Sequence, residues 1–145
     1  MKPEYHAIIS LTTSVIFYLV TNSMIGSILC FLVGIFIDLD HFPDFWIFGK
    51  KRISFNIKDF FDYFYKHDYE KAVIIFHTVE FIPLILVIGQ AILGKTLTYG
   101  ILTGFVVHLL FDYAGNGVEP LTYFLSYRIY KKFDVSYFCK CKKNI

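Results

Sequence analysis

Charge is what this sequence has least of. Only 18% of its 145 residues are Asp, Glu, Lys or Arg, against about 25% in an ordinary soluble domain. Those few are clumped, so long uncharged tracts lie between them, and a water-soluble globule is disfavoured. Disulfide chemistry is missing too. Of three cysteines, Cys30 lies inside an apolar run, while Cys139 and Cys141 form a C-x-C in a basic tail, a weak metal signal without further partners. The apolar run from Ala7 to Val20 is followed by no small-residue cleavage site, so it reads as a retained span rather than a signal peptide. There is no internal repeat and no low-complexity tract. A net charge of +2 gives no reason to expect a nucleic-acid partner.

What is present in quantity is apolar. Hydrophobic residues make up 56% of the chain and aromatics 20%, with a mean hydropathy of +0.55. Four apolar stretches, about residues 6–20, 24–37, 72–93 and 96–111, suggest membrane spans. Only the third reaches the usual length of about 20 residues. Tight turns near Asn22 and Gly94 make each pair a helical hairpin. Between the hairpins, residues 45–71 carry Ile57, Phe60, Phe61 and Phe64 at helical spacing beside charged neighbours, and residues 121–138 are rich in Tyr, Phe and basic residues. Both segments read as interfacial amphipathic helices. The expectation is therefore one all-α domain over 1–145, an integral membrane bundle of four spans in two helical hairpins.

Orientation follows from charge. All of the 14 Lys and Arg except Lys95 fall on the N-terminus, the middle loop and the C-terminal tail, which places those segments and both termini in the cytoplasm.

Against this background the ionisable residues near the span ends stand out: His6; Asp38, Asp40 and His41; His77 and Glu80; His108 and Asp112. Each costs roughly 2.5 to 3.5 kcal/mol near a membrane centre and needs a partner or a task. Asp38 and His41, like His77 and Glu80, are three apart, and His108 and Asp112 are four apart, so each pair occupies one helical face. Counted from the outer turns at 1.5 Å per residue, His6, Asp38, His77, Glu80, His108 and Asp112 lie about 21 to 27 Å down. One polar layer near the cytoplasmic interface results. Mixed His, Asp and Glu without thiolate suits zinc first, with manganese or iron as alternatives, and bridging carboxylates allow one or two ions. Asp44 reads as a solvated acid or helix cap and His67 as a surface residue, and Pro83 is a potential kink.

The pieces Tyr5-His6, Asp38-Leu39-Asp40-His41, Phe76-His77-Thr78-Val79-Glu80 and the run from Gly104 to Asp112 resemble small membrane-bound metal-dependent hydrolases. That family is distantly similar to zinc-dependent phospholipases C and S1/P1 nucleases. The resemblance covers about residues 1 to 130 and implies an all-helical metal site, phosphoester hydrolysis and a bacterial inner-membrane location. Many members carry two histidines five apart on the third segment. Here Ala72 occupies the earlier position, and Glu80 is the candidate replacement ligand.

The leading expectation is a hydrolase of a phosphoester in a lipid or lipid-linked substrate at the cytoplasmic leaflet. Glu80 or Asp40 would act as general base, and Arg128 would either pair with substrate phosphate or anchor the tail. The alternatives are a metal-ion transporter or channel component, and a non-catalytic protein whose metal staples the hairpins. A cytidine-diphosphate-alcohol phosphotransferase lacks support, because its Gly-Ala-Arg signature is absent.

Overall fold

The structure, a computed structural model, describes residues 3–48, 60 and 71–138. Among these residues all regular structure is helical, and an isolated antiparallel bridge joins Lys71 and Asp134. The chain divides into two compact units, Met1–Ile37 with Val79–Gly117, and Asp38–Thr78 with Val118–Ile145. The first holds α1 (Pro3–Thr21), α2 (Met24–Phe36), α4 (Phe81–Leu93) and α5 (Lys95–Asn116). The second holds a 3-10 turn (Ile37–Asp40, entered from the first unit), α3 (His41–Phe48), α6 (Leu125–Tyr130) and short 3-10 turns around α6.

Small residues build the interior of the first unit. Asn22, in the left-handed region at φ 51°, reverses the chain after α1, and the Ser23 hydroxyl accepts the Gly26 amide at 3.2 Å to cap α2. Along the hairpin, Phe17 meets Gly26, the Ser27 hydroxyl donates to the Ser14 carbonyl at 2.6 Å, and Ser10 lies against Gly34. Numbers that fall on α1 rise on α2, as an antiparallel pair requires.

Helix α5 runs parallel to α2. Gly100 lies against the Gly26 carbonyl, Gly104 against the Cys30 carbonyl, and His108 against that of Gly34. Each contact advances four residues on both helices. A Cβ at Gly100 or Gly104 would collide with those carbonyls, so Gly100-Ile-Leu-Thr-Gly104 is a small-x3-small packing face. Gly94, at φ 79°, turns α4 into α5, and Thr98 returns to Gly89.

Large apolar side chains point the other way. Leu19, Val20, Met24, Val87 and Ile92 are each about 70% exposed or more, while Ser10, Ser14, Cys30 and Thr98 are buried. Water would penalise that distribution, whereas lipid does not, and in lipid close helix packing depends on small residues.

Among the described residues two stretches are long and apolar enough to cross a membrane, Met24–Phe48 and Lys95–Asn116. Helix α1 has 19 residues, but Glu4, His6, Ser10, Thr12, Thr13 and Ser14 dilute it. The third expected span starts late. Residues 72–80 are not helical, and α4 has only 13 residues, about 20 Å of rise against a hydrocarbon core of about 30 Å. Pro83 is the third residue of α4, where a missing amide costs no helical bond, so it begins a helix rather than kinking one.

The tail turns inward. Val135 and Phe138 are buried with Ala72 in a small core that Ile74 and Tyr127 flank, and α6 is only six residues long. Of the proposed interfacial segment 45–71, residues 49–59 and 61–70, including His67, lie outside the described residues, as do Cys139 and Cys141. Phe60 is described, and it stacks on Phe42 at 4.5 Å between ring centroids.

Candidate metal centre

The first unit gathers His6, His108 and Asp112, all buried. His6 Nε2 lies 3.1 Å from Asp112 Oδ1, and His108 Nε2 lies 3.5 Å from Asp112 Oδ2. The two imidazoles stack with centroids 4.4 Å apart. Asn116 donates to Asp112 Oδ1 at 2.9 Å and steadies the carboxylate.

One contact fixes the chemistry of His108. Its Nδ1 is 2.8 Å from the Gly34 carbonyl. A carbonyl only accepts, so Nδ1 carries the proton and Nε2 of the neutral ring presents a lone pair. That lone pair faces a carboxylate oxygen, an arrangement relieved by a second ring proton or by a cation that both atoms bind. Anchoring one imidazole nitrogen on a backbone carbonyl is how metal-binding histidines are commonly held.

The second unit gathers Asp38, Asp40, His41 and His77. Ligand atoms of Asp40, His41 and His77 lie within 4.8 Å of one another, close enough to hold a metal ion. Asp40 is buried and acts as the hub. Its Oδ1 is 3.0 Å from His41 Nδ1, and its Oδ2 takes the Phe76 amide at 2.7 Å and faces His77 Nδ1 at 3.2 Å. With Nδ1 turned to Asp40, His77 Nε2 points at Asp38 Oδ1, 3.2 Å away. Two ligand atoms each about 2.0 to 2.1 Å from one tetrahedral ion stand roughly 3.3 to 3.4 Å apart, so the His77–Asp38 and His108–Asp112 separations suit shared coordination. The two groups differ in access: Asp38 and His41 are partly exposed, while His6, His108 and Asp112 are not.

His77 is presented by a segment that side chains have captured. Asp44, buried rather than solvated, accepts the Val73 and Ile74 amides at 2.7 and 3.1 Å. Arg128, 4% exposed, donates to the carbonyls of Val73, Ile74 and His77 and to the Thr78 hydroxyl. These bonds replace the helical ladder expected from residue 72 onward, and they hold Ile74 at φ 32°, a conformation that costs a β-branched residue about 1 to 3 kcal/mol. Without a helix over 72–80, His77 and Glu80 do not share a helical face. Glu80 stands just ahead of α4 in the first unit, half-buried. The guanidinium of Arg128, expected on substrate or on headgroups, serves the backbone instead.

No protein-family model matches the chain, and no curated protein or solved structure does either. Its chemistry therefore rests on these residues.

Proposed function

We propose that the protein is a membrane-embedded, metal-dependent hydrolase that cleaves a phosphoester in a lipid or lipid-linked substrate at the cytoplasmic leaflet. The observation that carries this reading is the His108 tautomer: Nδ1 held by the Gly34 carbonyl, Nε2 turned toward the Asp112 carboxylate. The donor set suits one or two divalent ions, zinc first, drawn from His6, Asp38, His41, His77, His108 and Asp112, with Glu80 a further candidate. A four-span bundle of two hairpins, with both termini cytoplasmic and α1 and α4 completing the crossings, remains part of the proposal. The outward apolar residues and inward small residues support it.

A bound ion would supply a water of pKa near 7 and charge for a leaving oxygen. The residues do the rest. Asp40 holds both imidazoles in register through their Nδ1 atoms. Asp38, more exposed than Asp40 and Asp112, offers the side from which water and substrate can enter. Arg128 and Asp44 keep His77 in place.

A phosphomonoesterase and phospholipid-headgroup release assay on the detergent-purified, zinc-loaded protein tests the reading. Turnover that Asp38→Ala abolishes supports it; equal background with wild type and variant contradicts it. Partial exposure of Asp38 favours this reading over a non-catalytic staple, since structural ions are closed off by their ligands.

A further inference from the structure

We infer that the second unit carries a separate site for a phosphate group, in a cleft of about 740 Å³ lined by Lys71, Lys131, Lys132, Tyr130, Tyr137, Asp134 and Ser136. Three observations converge on it. Among the described residues the lining holds three lysines and one acid, and none of the three ammonium groups is in an ion pair. The acid is already engaged, because Asp134 Oδ1 accepts the Ser136 amide at 2.8 Å.

Aromatic rings position the central cation. Lys131 Nζ lies 4.3 Å from the Tyr137 ring centroid, 5.1 Å from that of Tyr130 and 5.9 Å from that of Tyr127. Cation–π contacts hold an ammonium without neutralising it, so its charge remains available to an anion.

The backbone beneath is strained to present the site. Lys132 and Phe133 adopt φ 53° and 60° in succession. Non-glycine residues take such angles rarely, and functional sites concentrate them. This turn directs the Phe133 amide to the Arg128 carbonyl at 2.8 Å and the Ala72 amide to the Phe133 carbonyl at 3.1 Å, which brings Lys71 against the 131–134 loop.

A compact anion with apolar surroundings matches this lining: the phosphate of a phospholipid headgroup, or free phosphate. The cleft is independent of any metal, and it stands or falls without the hydrolase reading.

The test is native mass spectrometry of the full chain, released from nanodiscs of phosphatidylcholine with or without phosphatidylglycerol, and titrated separately with inorganic phosphate. Phosphatidylglycerol retained in preference to phosphatidylcholine assigns the site to lipid, and phosphate bound alone assigns it to the free ion. The variant Lys71→Gln/Lys131→Gln/Lys132→Gln is expected to weaken either ligand about fivefold per lysine, roughly a hundredfold in all. The matching triple arginine variant keeps the charge and is expected to retain binding, which separates loss of charge from loss of fold. Equal retention of both lipids with no phosphate uptake, or binding unchanged in the glutamine variant, overturns the inference.

Discussion

His108 donates its Nδ1 proton to the carbonyl of Gly34, 2.8 Å away and 74 residues distant in sequence. The bond is the third rung of a ladder whose first two are Gly100 on the Gly26 carbonyl and Gly104 on the Cys30 carbonyl. Helix packing and imidazole orientation are thus one structural fact: α5 can approach α2 only through glycine, and that approach sets the ring.

The ladder can be broken from a distance. Gly104→Ala places a methyl against a backbone carbonyl that cannot swing aside, and overpacking of this kind costs typically 1 to 3 kcal/mol. Gly94→Ala meets nothing within 4 Å but sits at φ 79°, for a conformational cost of about 1 to 2 kcal/mol. Thermal unfolding in detergent should show both variants destabilised, and metal affinity should fall only in Gly104→Ala. Equal metal affinity in the two variants would separate the packing from the site.

Arg128 is expected to be structural first. Arg128→Ala strands three carbonyls and a hydroxyl, and breaking such a buried charged network costs about 3 to 5 kcal/mol. Arg128→Lys keeps the charge but lacks the planar fork that reaches several acceptors at once, so it should recover only part of the loss. Limited proteolysis within residues 71–80 reads the effect directly, and unchanged cleavage in Arg128→Ala would contradict the assignment.

Asp44 should behave as a backbone clamp. Asp44→Asn retains an oxygen for the Val73 and Ile74 amides and is expected to cost about 1 kcal/mol, whereas Asp44→Ala leaves both donors unpaired at about 1 to 3 kcal/mol each. Chemical denaturation midpoints distinguish the two. A milder effect for alanine than for asparagine would refute the clamp.

Asp40→Asn tests orientation rather than ligation. Altering a hydrogen-bond partner of a metal-binding histidine typically weakens metal binding 10- to 100-fold. Competition against a chelating dye should report a loss in that range, while Asp38→Ala should lower the number of ions bound. If Asp40→Asn binds metal as wild type does, the hub role is wrong.

Much of this was legible in the sequence. Apolar runs locate α1, α2 and α5 to within a few residues, because no outside group displaces their helical hydrogen bonds. His6, Asp38, Asp40, His41, His77, His108 and Asp112 announce themselves as ionisable groups beside apolar tracts. The third helix misleads for a physical reason: the amides of residues 73, 74 and 76 bond to Asp44 and Asp40, and the carbonyls of 73, 74 and 77 to Arg128. Local apolar pattern cannot register acceptors and donors that arrive from 29 to 55 residues away. Buried roles for Asp44 and Arg128 are invisible for the same reason. The Gly100–Gly104 spacing, by contrast, is a signal that the sequence carries openly.

Metal content tests the account most directly. The protein, purified without chelators and dialysed against trace zinc, should hold one or two ions per chain by inductively coupled plasma mass spectrometry. His108→Ala and His77→Ala should each lower that number while the chain stays helical by circular dichroism. A wild-type protein with no more metal than a His77→Ala/His108→Ala double variant would contradict the account at its root.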